Sequence, residues 1–68
     1  GNLVEYISND EIAIHSEAGS TVAIYGLTGV QLLTRRIDTQ GEAVSIAGLP
    51  QGIYIVKANG RTTKIIKR

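Results

Sequence analysis

Apolar and polar side chains alternate along most of the chain. Val22 and Ile24 flank Ala23, and the same two-residue repeat recurs over residues 11–16 and 42–47. Because successive side chains of a strand point to opposite faces of a sheet, a period of two predicts strands with one apolar face. No stretch of the chain carries the i, i+3, i+4, i+7 stripe of an amphipathic helix. The pattern therefore predicts an all-β chain.

Turn-forming residues divide this pattern into short segments. Gly, Pro, Asn and Asp separate the apolar runs at short, fairly even intervals. The predicted strands cover residues 3–8, 11–16, 21–27, 30–37, 42–47, 53–58 and 62–67. Short strands at this spacing are typical of an all-β sandwich or barrel. We expect a single domain over residues 1–68, since a chain of 68 residues is too short for a second core.

Two local features predict the arrangement of the last strands. Asn59-Gly60 lies between two alternating runs and favours a type I′ hairpin turn, which needs positive φ at both central positions. The run 53–56 is apolar on both faces, which is typical of a central strand. The run 62–67 carries lysines, which protect an exposed sheet edge from pairing with another chain. We therefore expect an antiparallel hairpin whose second strand lies at the edge of the sheet.

Apolar and aromatic residues of these runs supply the predicted core. We expect Ile55 to be buried, and Leu49, in the loop before it, to close one end of the core. Tyr25 and Tyr54 also lie inside apolar runs, so we expect buried rings whose hydroxyl groups reach the rim. Exposed rings would instead suit a surface that stacks against sugars or bases.

Charged residues are distributed unevenly, although the net charge is only +1. Residues 1–34 contain four acidic residues and no Lys or Arg, whereas residues 35–68 contain seven basic and two acidic residues. A basic tail can bind nucleic acid or anionic lipid. Here the basic residues alternate with apolar ones, which favours ion pairs between neighbouring strands of one sheet. We therefore predict no nucleic-acid partner.

The residue types present argue against a catalytic or metal site. The chain has no Cys and one histidine, His15, so nitrogen and sulfur ligands for zinc are too few. Asp10 and Glu11 are adjacent at a turn but lack the spacing of a calcium loop. No acid and base residues are placed as an active site requires, and no apolar stretch approaches the ~20 residues that span a bilayer. We predict a non-enzymatic domain with no cofactor, no metal and no membrane span.

Three segments of the chain resemble a known family. Residues 22–29, VAIYGLTG, look like the V-x-I-Y-D-L-x-G-R segment of the C-terminal sorting domains of the type IX (Por) secretion system of Bacteroidetes. Residues 49–57, LPQGIYIVK, are similar to the family's L-P-x-G-x-Y-x-V-K segment, and residues 64–67, KIIK, resemble its closing K-I-V-K element. The segments occur in family order, and the resemblance covers residues 11–68.

The resemblance implies a single immunoglobulin-like antiparallel β-sandwich of about seven short strands, which agrees with the strand pattern. It also implies the C-terminal domain of a larger exported protein, and a chain that begins Gly1-Asn2 and contains no Met fits this expectation. In the family, such a domain directs its cargo through the outer membrane by way of the secretion machinery, and a sortase-like protease then commonly removes it.

The matching motif positions are Gly29, Gly52, Tyr54, Val56, Lys64 and Lys67. The chain departs from the family pattern at Gly26 and Val30, where the family usually has Asp and a basic residue.

An alternative function is consistent with the same fold. An immunoglobulin-like module also suits a structural or adhesive domain that binds carbohydrate or protein at the cell surface. Exposed rings of Tyr25 and Tyr54 would favour this alternative, and buried rings would weaken it. Both functions place the domain outside the cell, at the outer membrane surface or in the medium, as part of a larger protein.

Overall fold

Two antiparallel sheets make up the domain in a computed structural model that describes residues 1–68. The seven strands are β1 (Val4–Tyr6), β2 (Glu11–Ile14), β3 (Thr21–Gly26), β4 (Gln31–Arg36), β5 (Glu42–Ser45), β6 (Gly52–Ala58) and β7 (Arg61–Lys67). One sheet has the strand order β1-β2-β5 and the other β4-β3-β6-β7. Each strand overlaps its predicted segment, and the predicted all-β sandwich is confirmed. In immunoglobulin lettering, the second sheet corresponds to strands C′-C-F-G.

Inward-facing side chains from both sheets form the core. Alternation decides its membership, because each strand contributes every second residue. The buried cluster consists of Leu3, Ile12, Ile14, Val22, Ile24, Ile37, Val44, Ile46, Tyr54, Val56, Ala58 and Ile65. Leu49 is partly buried in its loop and packs against this cluster, as predicted.

The arrangement of the last two strands agrees with the sequence. β6 lies between β3 and β7, and β7 is an edge strand. Asn59 and Gly60 have φ angles of 50° and 77°, the two positive values that a type I′ turn requires. The hairpin pairs Ala58 with Arg61 directly across this turn.

Two predicted core residues lie on the outer face of the four-stranded sheet instead. Tyr54 and Val56 point inward, so the alternation places Ile55 outward, where it is half-buried opposite Tyr25. Tyr25 is itself half-buried on this outer face. The predictions for Ile55 and Tyr25 are wrong, because a run that is apolar on both faces does not reveal which face meets the other sheet. The prediction for Tyr54 is confirmed, since its ring is 6% exposed and its hydroxyl donates a hydrogen bond to the carbonyl oxygen of Pro50.

Candidate recognition surface

The six positions that match the sorting-domain motifs fall into two groups. The inward group consists of Gly52, Tyr54, Val56 and Lys67, and the exposed group consists of Gly29 and Lys64. Strand pairing brings Gly52 of β6 opposite Lys67 of β7, so the inward group is contiguous at one end of the sheet. The inward group contacts the core and the other sheet, whereas the exposed group lies at the surface.

Tyr54 anchors the turn that precedes β6. Its buried hydroxyl donates a hydrogen bond to the carbonyl oxygen of Pro50, four residues earlier. Gly52 lies beside the ring, and a Cβ atom added there would be 3.8 Å from the Tyr54 hydroxyl oxygen. Val56, the next inward residue, is completely buried. These motif positions therefore shape a turn and the core.

Lys67 joins the two sheets at the end of β7. Its Nζ lies 2.8 Å from Oδ1 of Asp10, which is in the turn between β1 and β2. The Lys67 side chain is 8% exposed, whereas that of Asp10 is 60% exposed. The aliphatic stem of Lys67 is thus buried, and its charge meets a carboxylate at the surface. The prediction of ion pairs within one sheet is wrong for the Lys and Arg residues, because this pair and that of Arg35 with Glu42 both connect the two sheets.

Side chains from the end of β1 and from the same turn hold the backbone of Ile66 and Arg68. The Tyr6 hydroxyl oxygen accepts a hydrogen bond of 2.9 Å from the backbone N–H of Ile66. The Asn9 side chain accepts a bond of 3.1 Å from the backbone N–H of Arg68 and donates one of 2.6 Å to its carbonyl oxygen. We call Tyr6, Asn9 and Asp10 the terminal clamp. Tyr6 and Asn9 bond backbone groups of Ile66 and Arg68 at the end of an edge strand, and Asp10 binds the Lys67 side chain.

Charge separates completely between the strands of the two sheets. The strands of the four-stranded sheet contain six Lys and Arg residues and no Asp or Glu. The strands of the three-stranded sheet contain three Glu residues and no Lys or Arg. The charge asymmetry along the sequence therefore becomes an asymmetry across the sandwich.

Glu42 of β5 supplies the counter-charge for Arg35 at the border between the sheets. Arg35 Nη2 lies 2.7 Å from Glu42 Oε2. The backbone N–H groups of Asp38 and Thr39 donate to Oε1 at 2.8 and 3.3 Å. The hydrogen bond from Asp38 is the largest cause that lowers the pKa of Glu42 from its usual 4.5; the bond from Thr39 and Arg35 act in the same direction, and desolvation opposes them.

Four of the six strand cations have no carboxylate partner. Arg35 and Lys67 are paired, and Arg61 donates hydrogen bonds of 2.8 and 2.9 Å to the backbone carbonyls of His15 and Gly1. Besides Arg61, the strand cations with no carboxylate within 4.0 Å are Arg36, Lys57 and Lys64. All three lie on the outer face of the four-stranded sheet, opposite Thr21, Ala23 and Ile55 respectively.

Apolar side chains lie among these cations. Tyr25 faces Ile55 across β3 and β6, and Ile53 faces Ile66 across β6 and β7. Ile53 is 40% exposed and Ile66 is 42% exposed. The Nζ of Lys57 lies 5.7 Å from the centroid of the Tyr25 ring, which is a cation–π contact. We call this surface the outer patch, and it consists of Tyr25, Ile53, Ile55, Lys57, Lys64 and Ile66.

Gly29 borders the outer patch. It lies in the turn between β3 and β4, beside a shallow hollow of about 360 Å³ that Ile55 and Lys57 also line. Its φ of 90° is a conformation that residues with side chains rarely adopt, so the turn requires a glycine there. Both exposed motif positions, Gly29 and Lys64, therefore lie on or beside one surface.

A larger hollow of about 690 Å³ lies beside β1 and contains Glu5 and His15. His15 Nε2 is 2.9 Å from Glu5 Oε1, with both side chains at the surface. The neighbouring hydroxyl of Ser16 bonds to the hydroxyl of Ser20 and not to His15. No motif position borders this hollow, so we place the candidate recognition surface on the outer patch.

The sequence did not predict the terminal clamp or the contact of Lys57 with the Tyr25 ring. Asn9 and Asp10 resemble ordinary turn residues, and no local pattern links them to residues 66–68. A signal for the outer patch was nevertheless present, since no acidic residue follows Glu42 and the run 53–56 is apolar on both faces. Together these features describe a strand pair with an apolar, cationic side.

Comparison with known proteins places the chain in a family. The family model described as secretion system C-terminal sorting domain matches residues 8–68. The chain is also 31% identical over 52 residues to beta-agarase A of Zobellia galactanivorans, an alignment that covers 76% of this chain and 10% of that protein. The chain thus spans about a tenth of the length of the curated relative it matches. No solved structure matches. The structure has no helix with the length and hydrophobicity needed to cross a membrane.

Proposed function

The chain belongs to the family of secretion system C-terminal sorting domains, and we propose that its folded sandwich, rather than a linear peptide, is the signal that the machinery recognises. A type IX (Por) sorting domain directs the cargo protein that carries it out of the cell. The protein with this domain is therefore exported to the cell surface or the extracellular space. The domain itself acts as a signal and has no catalytic part in our proposal.

One observation carries this proposal. Four of the six motif positions form the core, the turn before β6 and the ion pair of Lys67. A linear signal would not need a fully buried Val56 or a tyrosine hydroxyl that is hydrogen-bonded to the backbone of Pro50. These side chains act by folding the domain, and the folded domain then presents the exposed positions Gly29 and Lys64.

A reporter fusion tests the proposal. A periplasmic reporter enzyme is joined ahead of residues 1–68 in a bacterium that has the type IX system, and its activity outside the cell is measured. We expect export of the wild-type fusion and loss of export with Val56→Asp, because a charge at a fully buried position unfolds a small domain. Gln40→Asp is the matched control, since Gln40 is exposed in the loop before β5. Equal export of the Val56→Asp fusion would mean that the signal is linear.

We also propose that a sortase-like protease removes the domain after transport. Membership of the sorting-domain family supports this step. The same fusion provides the test, because removal of the domain reduces the mass of the exported reporter by about 7.3 kDa. An exported reporter that keeps its full mass would contradict removal.

The adhesive alternative depends on exposed aromatic rings for its carbohydrate-binding form. Tyr54 is buried in the core, and the ammonium group of Lys57 lies over the ring of Tyr25. Tyr54 is therefore unavailable to a sugar, and Tyr25 is half-buried with a cation already placed over its ring. The observations therefore favour recognition by a protein, which is what a sorting domain requires.

A further inference from the structure

We propose that the secretion machinery docks on the outer patch, and that its docking surface is an apolar protein surface bordered by carboxylates. This inference rests on the proposed sorting function and adds to it the place of contact and the chemistry of the partner. It follows from three properties of the outer patch: its apolar residues, its unpaired cations and its lack of acidic residues.

The apolar residues are arranged as a continuous band. The cross-strand pairs Tyr25–Ile55 and Ile53–Ile66 place four apolar side chains side by side over β3, β6 and β7. The solvent face of an antiparallel sheet is usually polar, so a band of this kind is unusual on a sandwich of 68 residues. Exposed apolar patches rimmed by polar residues typically mark a contact with another protein.

The charges define what that protein must present. Lys57 and Lys64 lie on the band, Arg36 lies farther along the same face opposite Thr21, and none of the three has a carboxylate partner. An apolar surface that covered them would remove water from the cations without compensation. A partner with carboxylates at the matching positions would instead gain affinity and association rate. The observations therefore favour an acidic border around an apolar centre.

A second copy of this chain fits the patch less well. Two copies joined by the same face about a two-fold axis would bring the Lys57 and Lys64 groups of both molecules into one contact. Like charges at such a contact cost several kcal/mol. A polyanion such as nucleic acid fits poorly as well, because isoleucines occupy the centre of the patch and interfaces with nucleic acid are polar and strongly cationic.

The test uses two variants of the fused reporter, one for each property of the patch. Lys57→Gln with Lys64→Gln removes two charges and keeps most of the side-chain length. Ile53→Thr with Ile66→Thr removes apolar surface and keeps β-branched residues, which suit strands. We expect each pair to reduce export by about tenfold, since each removes contacts across the interface. Resistance of the purified fusions to protease shows that both variants are folded.

A matched control separates the patch from net charge. Asn2→Asp with Gln40→Glu lowers the net charge by the same two units at exposed positions outside the outer patch. This fusion is expected to be exported like the wild type. A loss of export equal to that of the lysine variant would attribute the effect to net charge and overturn the docking surface.

The remaining outcomes are also decisive. If the wild-type fusion is exported and both patch variants are exported equally well, the docking inference is wrong while the sorting function stands. If the wild-type fusion itself is not exported, the sorting function fails. A loss confined to the lysine variant indicates a polyanion, and a wild-type dimer in light scattering that Ile53→Thr with Ile66→Thr abolishes indicates self-association. Either result would overturn the acidic protein partner.

Discussion

The inner and outer faces of the four-stranded sheet both contain isoleucine and lysine, but these residues differ between the faces in burial and in ion pairing. On the inner face, Ile65 is buried and Lys67 is paired with Asp10. On the outer face, Ile66 is 42% exposed and Lys64 has no carboxylate partner. Neighbouring residues of one strand therefore differ in whether they contribute to folding. The inner residues stabilise the fold, and the outer ones are available to a partner.

The largest expected difference between the faces concerns Ile65 and Ile66. Ile65→Ala removes a side chain that is 1% exposed and leaves a cavity, so we expect a loss of about 2–5 kcal/mol in the free energy of unfolding. Ile66→Ala, in the same strand, is expected to cost under about 1 kcal/mol because that side chain is already half in water. Urea unfolding of both variants measures the difference. Equal losses would show that the two faces are not distinct.

The lysines of β7 provide the next comparison. Asp10→Asn leaves the ammonium group of Lys67 without its counter-charge, and we expect a loss of about 1 kcal/mol, since the exposure of Asp10 moderates the cost. Lys64→Met, on the outer face, is expected to leave stability within about 0.5 kcal/mol of the wild type. Thermal unfolding at neutral pH and moderate salt distinguishes the two. A neutral Asp10→Asn variant would show that the pair between the sheets contributes nothing.

The terminal clamp gives a more local effect. Tyr6→Phe removes only the hydroxyl that accepts a hydrogen bond from the N–H of Ile66, so we expect a cost of about 0.5–1.5 kcal/mol. Amide hydrogen exchange should accelerate at Ile66, which loses this bond, more than at Ile65. Tyr25→Phe is the matched control on the outer face, because the Tyr25 hydroxyl makes no hydrogen bond in the structure. Unchanged exchange at Ile66 would argue that the clamp does not order this segment.

The smallest expected effect concerns pH and the neighbours Arg35 and Arg36. Because the pKa of Glu42 is lowered in the folded state, its carboxylate stabilises the fold above its unfolded pKa. This stabilisation is lost as the pH falls below about 4.5 and through the lowered folded value. Arg35→Gln should therefore reduce the pH dependence of stability in this acidic range, whereas Arg36→Gln should not. Identical pH profiles for the two variants would contradict the asymmetry between the faces.

The sequence predicted the strands far better than it predicted their environment. Alternation located all seven strands, and Asn59-Gly60 identified the hairpin turn, since both depend on neighbouring residues. The burial of Ile55 could not be predicted in the same way. Ile53 to Val56 is apolar on both faces, and only the position of the second sheet decides which face becomes the core.

The candidate site was also predictable only where it depends on local sequence. Motif resemblance named Gly29 and Lys64, which the structure places on or beside the outer patch. The resemblance also named Lys67, but not its partner Asp10, which is 57 residues away in the chain. Contacts at such separation depend on how the two sheets pack, and no local pattern encodes them.

The sequence by itself determined the all-β class, the strand boundaries to within a few residues and the family of sorting domains, because these depend on side-chain period, turn residues and short motifs. Only the tertiary structure decided that Lys67 is buried, that Tyr6 and Asn9 hold the last residues, and that the outer face carries an apolar patch with unpaired cations. The physical reason is that one strand has two faces. The sequence gives the residues on each face but not which face is covered. Packing against the other sheet buries one face and leaves the other free to bind a partner.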